Sequence, residues 1–246
     1  MDTPAGRPDG GALLLFDIDG TLLNAAGCGL RAIDRAMREL YGIDRASAGV
    51  EFAGCTDLAI WQGVFTQRGL GVERFHADRP AIETAYLRLL HDELGNRGVT
   101  VLPGYPGLLD ACRDRGWELG LLTGNFRAGG YAKLAAGRLD GYFPFGGFGD
   151  SHTSREPLYE LAVTAARTTA GCDVPPKQML VIGNTLHDLR CARTGGARAV
   201  LVATGLVAAA TLRAAQPDLF CDSFADVDAT VSGFAALLAA AGPAHA

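Results

Sequence analysis

The chain of 246 residues contains two lysines, Lys133 and Lys177, against 20 arginines. Neither lysine follows a glycine, so the GxxxxGK[ST] phosphate loop of P-loop enzymes is absent. No lysine lies between residues 25 and 98, which removes Schiff-base chemistry from that stretch. The six cysteines stand singly, with no CxxC pair, which argues against a zinc ribbon or a redox dithiol and fits reduced thiols in a cytoplasm. There is no basic block, and the net charge is −5, so neither nucleic acid nor an anionic membrane is expected as a partner. The most apolar long stretch, Ala199 to Leu212, holds two threonines and a glycine and falls short of the ~18 apolar residues of a membrane span. Met1 to Gly11 has no positive start and no apolar run, so no signal peptide is expected and the location is expected to be cytoplasmic.

What remains is an ordinary globular composition, 48% hydrophobic and 20% charged. Leu13 to Phe16 is an apolar run that stops at Asp17, the pattern of a strand buried on both faces of a parallel sheet. Leu119–Leu122, Met179–Ile182, Ala199–Val202 and the shorter Leu219–Cys221 repeat it. Helical spacing lies between them, around Leu108 to Cys112, Leu158 to Ala165 and Leu186 to Ala192, the last ending at Gly195-Gly196. A final helix is expected over Phe224 to Leu238. Such alternation predicts an α/β fold with a doubly wound parallel sheet. Residues 25–98 break the rhythm with helical spacing alone, at Leu30, Ile33 and Met37, at Leu58, Trp61 and Phe65, and at Ile82, Tyr86 and Leu89. They read as an inserted α-helical cap. The expected division is a core of 12–24 and 99–241, a cap of 25–98, and flexible tails at 1–11 and 242–246.

Asp17-Ile18-Asp19-Gly20-Thr21 closes the first strand. Residues two apart on an extended backbone point the same way, so both carboxylates can face one pocket beyond the strand end. Two acids there can bind a hard cation, and one can attack an electrophile. An isolated DxD is as readily a solvated turn; four buried apolar residues before it favour the chemical reading. Thr123-Gly124-Asn125 ends another apolar run, and a hydroxyl followed by a helix start can bind a phosphate oxygen or simply cap the helix.

Leu13 to Leu22 resembles the first motif of the haloacid dehalogenase superfamily, in its phosphoglycolate-phosphatase-like branch with a helical cap. The resemblance spans about residues 12–240 and implies a Rossmann-like core. Leu121 to Asn125 matches the second motif, with Thr123, Gly124 and Asn125 as phosphate-binding residues. At the third motif, which usually carries a lysine, Ser154 to Tyr159 offers Arg155. The fourth motif resembles Leu180 to Asp188, but Asn184 stands where the family has a metal-binding Asp, and Asp188 is implied to act largely through water. The implied site is catalytic Asp17, Asp19, Thr123 and Arg155, with Mg²⁺ at Asp17, Asp19, Asn184 and Asp188. Asn184 brings no charge, so Mg²⁺ binding is expected to be weakened; a working site, a repurposed one and an engineered knock-down all remain open. In the cap, Gly54-Cys55-Thr56-Asp57 resembles a GRTD-like element of related phosphatases, with Cys55 where Arg is common, that would face the core site on closure, or else forms a turn with Asp57 capping the next helix. His152 and His187 are read as surface or supporting residues.

The resemblance implies a Mg²⁺-dependent phosphomonoester hydrolase of a small phosphorylated metabolite, working through an aspartyl-phosphate. The alternatives are an impaired or repurposed member that binds a phosphorylated ligand, and a sugar-phosphate mutase. Dehalogenation is disfavoured because family dehalogenases lack an acid at the position of Asp19. A dinucleotide enzyme would show GxGxxG where DIDGT stands.

Overall fold

The computed structural model describes residues 11–240, so the two expected tails fall outside the described residues apart from Gly11. Six parallel strands form the central sheet: β1 (Leu13–Phe16), β4 (Glu118–Leu122), β5 (Gly146–Gly147), β6 (Met179–Gly183), β7 (Arg198–Val202) and β8 (Leu219–Cys221). A two-stranded antiparallel ribbon joins β2 (Leu23–Asn24) to β3 (Thr100–Val101). The order across the main sheet is β5-β4-β1-β6-β7-β8, which puts β1 at the point where the winding reverses.

The apolar runs became strands because both faces of the sheet are covered. Leu13, Leu14, Leu15 and Phe16 are fully buried, two facing each side. One face is packed by α6 (Glu156–Ala170) and α7 (Leu186–Gly195), through Leu158, Ala162 and Cys191. The other receives α4 (Gly107–Asp114) and α9 (Val227–Ala239), where Leu108, Phe224 and Phe234 join Phe16 and Leu121. Short α8 (Ala209–Ala214) follows β7. The last helix begins three residues later than expected, because Asp226 caps it by accepting from Ala229 N–H, while Phe224 is spent in the core. β5 was invisible beforehand: two glycines carry no hydrophobic signal, and a Cβ at Gly147 would stand 2.1 Å from the Leu158 carbonyl oxygen.

Residues 25–98 are helical as expected, forming α1 (Cys28–Tyr41), α2 (Asp57–Gln67) and α3 (Val72–Arg97). α3 is longer than its apolar spacing suggests and contains Pro80. Trp61, Phe65, Phe75 and Tyr86 hold α2 to α3, with Trp61 and Phe75 stacked at 6.4 Å between centroids. Arg31 and Arg35 of α1 reach Glu93 of α3 at 2.7 and 2.9 Å. The chain leaves for these helices at β2 and returns at β3, side by side. No helix among the described residues is long and apolar enough to cross a membrane.

Candidate active site

Parallel strands deliver their carboxyl ends to one edge. Asp17 follows β1, Thr123 follows β4 and Asn184 follows β6, so three neighbouring strands present three polar residues where the winding reverses. Backbone bonds fix them: Asp17 N–H donates to Ile182 and Thr123 N–H to Gly147. Gly20 makes the turn after Asp19 with φ of +78°, and a Cβ there would stand 2.5 Å from Asn184 Nδ2.

Arg155 sits just before α6, and its side chain is only 3% exposed. Its Nη2 donates to the Leu122 carbonyl at 3.0 Å and lies 3.1 Å from Asp17 Oδ1 and 2.7 Å from Asp188 Oδ1. Burial works against its charge, yet Asp17 and Asp188 hold it protonated above its usual range. Burial pushes the Asp17 carboxyl up to about 6, Arg155 opposing and the neighbouring acids adding to the rise. Asp188 Oδ2 accepts from the N–H groups of Asn184 and Thr185 and from the Thr185 hydroxyl, in a capping box at the start of α7. Asp188 therefore holds Arg155 and the turn from β6 to α7; it does not line the cavity.

Lys133, set aside by motif reasoning, lies in the site. It belongs to α5 (Arg127–Ala136), is 6% exposed, and its Nζ donates to Asp19 Oδ2 at 2.6 Å and Asn125 Oδ1 at 2.7 Å. Asn125 Nδ2 closes the triangle on Asp19 at 2.9 Å and also donates to Thr123 Oγ1 at 2.8 Å. Desolvation disfavours the Lys133 charge, but Asp19 and Asp57 hold its pKa above the ordinary value. One signal could have found it: Gly129 and Gly130, four and three positions before Lys133 on the same helix face, allow that face to pack closely, and a Cβ at Gly130 would stand 3.1 Å from Ile18. Thr123 does not cap α5, since its Oγ1 accepts from Asn125 and the helix starts at Arg127.

The loop before α2 reaches this edge. Asp57 N–H donates to Gly124 O at 2.7 Å, and Asp57 Oδ2 accepts from Phe126 N–H at 2.7 Å. Thr56, not Asp57, caps α2, by accepting from Ala59 N–H. Burial raises the Asp57 carboxyl to about 6, with Lys133 and the Phe126 N–H opposing. His187 packs its ring beside Gly54 and bonds Arg190, and His152 bonds Ser151; neither meets Asp17.

Asp17, Asp19, Thr123, Lys133, Arg155 and Asn184 share one cavity of about 450 Å³. Its possible donors to a hard cation are the Asp17 carboxylate, the Asp19 carbonyl and Asn184 Oδ1. Asn184 Oδ1 accepts from Thr21 Oγ1 at 3.0 Å, and a carbonyl oxygen so engaged keeps a second lone pair. Among the described residues no cluster of three His, Cys, Asp or Glu side chains could by itself hold a metal.

One family model, that of the haloacid dehalogenase-like hydrolases, matches residues 12–196. The chain belongs to this family. It is similar to the phosphoglycolate phosphatase of Salmonella typhimurium, 28% identical over 236 residues that cover 86% of this chain and 89% of that protein. Its fold is similar to that of β-phosphoglucomutase from Clostridium difficile, with a TM-score of 0.67, 16% identity, and 94% and 99% of the two chains covered. CbbY from Rhodobacter sphaeroides, solved in complex with phosphate, gives a TM-score of 0.63 at 20% identity, over 88% and 96% of the chains. The resemblance read from Leu13 to Leu22 thus holds over most of this hydrolase.

A Cβ on Gly124 would stand 2.2 Å from the Cys55 carbonyl oxygen, with Thr56 Cα at 3.1 Å. Gly124→Ala is expected to separate the two loops. Hydrogen exchange should quicken at the Asp57 amide, which binds Gly124 O, while β1 amides keep their protection. Unchanged exchange at Asp57 would show that the contact does not hold the loop.

Proposed function

We propose that this hydrolase is a phosphatase that cleaves small phosphomonoesters by transferring the phosphoryl group to Asp17. The observation that carries the reading is the buried pairing of Asp17 with Arg155 at 3.1 Å, in a cavity that Thr123 and Asp19 also line. One observation favours an anion there: Thr123 Oγ1 accepts from Asn125, which turns its own proton outward from that bond.

In the proposed reaction an Asp17 carboxylate oxygen forms a bond to phosphorus while the ester P–O bond breaks. The electron pair stays with the leaving oxygen, which takes a proton from Asp19. Asp19, now a carboxylate, then accepts a proton from water as that water attacks phosphorus and releases Asp17. Arg155 and Thr123 hold the non-reacting oxygens where negative charge gathers. Lys133 and Asn125 both donate to Asp19 Oδ2 and fix the group, which leaves Oδ1 to carry the proton. Residues 25–98 act as a cap, hinged at the β2–β3 ribbon and closed through Asp57 on Gly124 and Phe126, keeping bulk water from the acyl-phosphate.

The all-oxygen donor set fits Mg²⁺, a cation that commonly takes one or two carboxylates and completes its shell with substrate phosphate and water. Asp17, the Asp19 carbonyl and Asn184 would hold it, and it would neutralise charge on the phosphoryl oxygens. Asn184 supplies one negative charge fewer than an Asp. That deficit supports a second reading, a protein that binds phosphorylated ligands with little turnover. A sugar-phosphate mutase would use the same Asp17 and Asp19.

Turnover of a phosphomonoester against Mg²⁺ concentration, for the protein and for Asn184→Asp, separates the two. The variant is expected to reach half-maximal rate at about 10-fold or more lower Mg²⁺, and Asp17→Asn to lose measurable turnover. Equal Mg²⁺ dependence in the two proteins would remove residue 184 from the metal site. Turnover persisting in Asp17→Asn would remove the nucleophile. Lys133→Met is expected to lower kcat by on the order of 10²-fold with little change in KM, as for a misplaced catalytic group; an unchanged kcat would deny Lys133 its positioning role.

A further inference from the structure

The cavity has two unlike ends. Its floor, at the strand ends and α5, holds the charged residues Asp17, Asp19, Lys133 and Arg155, with Asp57, the one other charged residue that lines it, docked on Gly124 and Phe126 from α2. Its outer wall is built from the start of α1, the loop before α2 and the loop after β7. Ala26, Cys28, Leu30, Ile33, Phe52 and Leu206 face the space from these segments. Phe52 is 40% and Leu206 78% exposed, two of the four large apolar side chains found at the surface among the described residues. They stand on different segments of chain, one before α2 and one after β7, yet border the same cavity.

Both cations of the floor serve the reacting end: Arg155 faces Asp17, Asp188 and the proposed phosphate, and Lys133 is held by Asp19 and Asn125. Two polar groups of the outer part are also engaged: Asn24 Oδ1 accepts from Ala26 N–H, and Thr204 donates to the Gly20 carbonyl. A leaving group bearing a carboxylate or a second phosphate would lose its hydration here and meet no uncommitted cation among the described lining residues. An uncharged hydrocarbon group would instead remove the wall and itself from water.

We propose that the substrates are phosphate esters of apolar, uncharged alcohols, and that the wall of Ile33, Phe52 and Leu206 selects them. This rests on the phosphatase reading and names the substrate class of that same site. The phosphate binds at Asp17, Thr123 and Arg155, and the alkyl or aryl part lies between α1 and the loop after β7.

The test compares kcat/KM, with saturating Mg²⁺, for n-alkyl phosphates of increasing length, which share one leaving-group chemistry. The value is expected to rise about fourfold per methylene until the cavity fills, the size expected for burying one methylene. Isobutyl phosphate, which matches the shape of 2-phosphoglycolate without its carboxylate, is expected to be the better substrate by more than 10-fold. Leu206→Arg, a substitution at an exposed position, is expected to flatten the alkyl series and to improve 2-phosphoglycolate. A flat alkyl series, or 2-phosphoglycolate preferred by the unmodified protein, overturns the substrate class and leaves the phosphatase reading standing. Hydrolysis of none of these esters, in the protein or in Asn184→Asp, overturns the phosphatase reading and the class with it.

Discussion

A single buried guanidinium organises the reacting edge of this molecule. Arg155 is placed by the turn into α6 and lies against the carboxylates of Asp17 and Asp188 and the end of β4. Each acid alone would be costly at that depth, and together they would repel. The cation makes the pair tolerable, and it also presents a charged donor beside the residue proposed to attack phosphorus. Asp188 has the quieter share of this arrangement. It fastens α7 to the end of β6 and so sets where Asn184 stands.

Lys133 repeats the device along the same edge. It is buried, touches Asp19 and Asn125, and feels the field of Asp57 from the helical segment. Asp57 accepts from Phe126 N–H at the N-terminal end of α5, where the helix dipole favours an acid. The strand ends and the helical segment therefore meet through charge as well as through the glycine contacts at Gly124 and Gly149. Asp57 of α2 accepts from the residue before α5, and Lys133 of α5 donates to Asp19.

Much of the core could be read in advance because a buried parallel strand must be an uninterrupted apolar run. Leu13–Phe16 and Met179–Ile182 announced themselves in that way, and Asp17 and Asn184, which follow them, stand at one edge by topology alone. β5 could not be read, since Gly146 and Gly147 are selected by closeness to Leu121 and Leu158 and leave no pattern. Lys133 was missed for a related reason. Motif spacing looks along the chain, whereas Lys133 reaches Asp19 across 114 positions, through the docking of α5 against the end of β1. Asp57 reads locally as the cap of α2, but its carboxylate accepts from Phe126 N–H just before α5; tertiary contact overrides the local choice, and Thr56 takes the local role.

The account stands or falls on where the phosphoryl group goes first. Acid quench of the protein during turnover of a phosphate ester, followed by peptide mapping, reads this directly. A base-labile phosphoryl group on Asp17, in the peptide containing Leu13 to Thr21, is the result expected. A phosphoryl group on any other residue would contradict the assignment of the nucleophile, and so would inversion of configuration at phosphorus over the whole reaction.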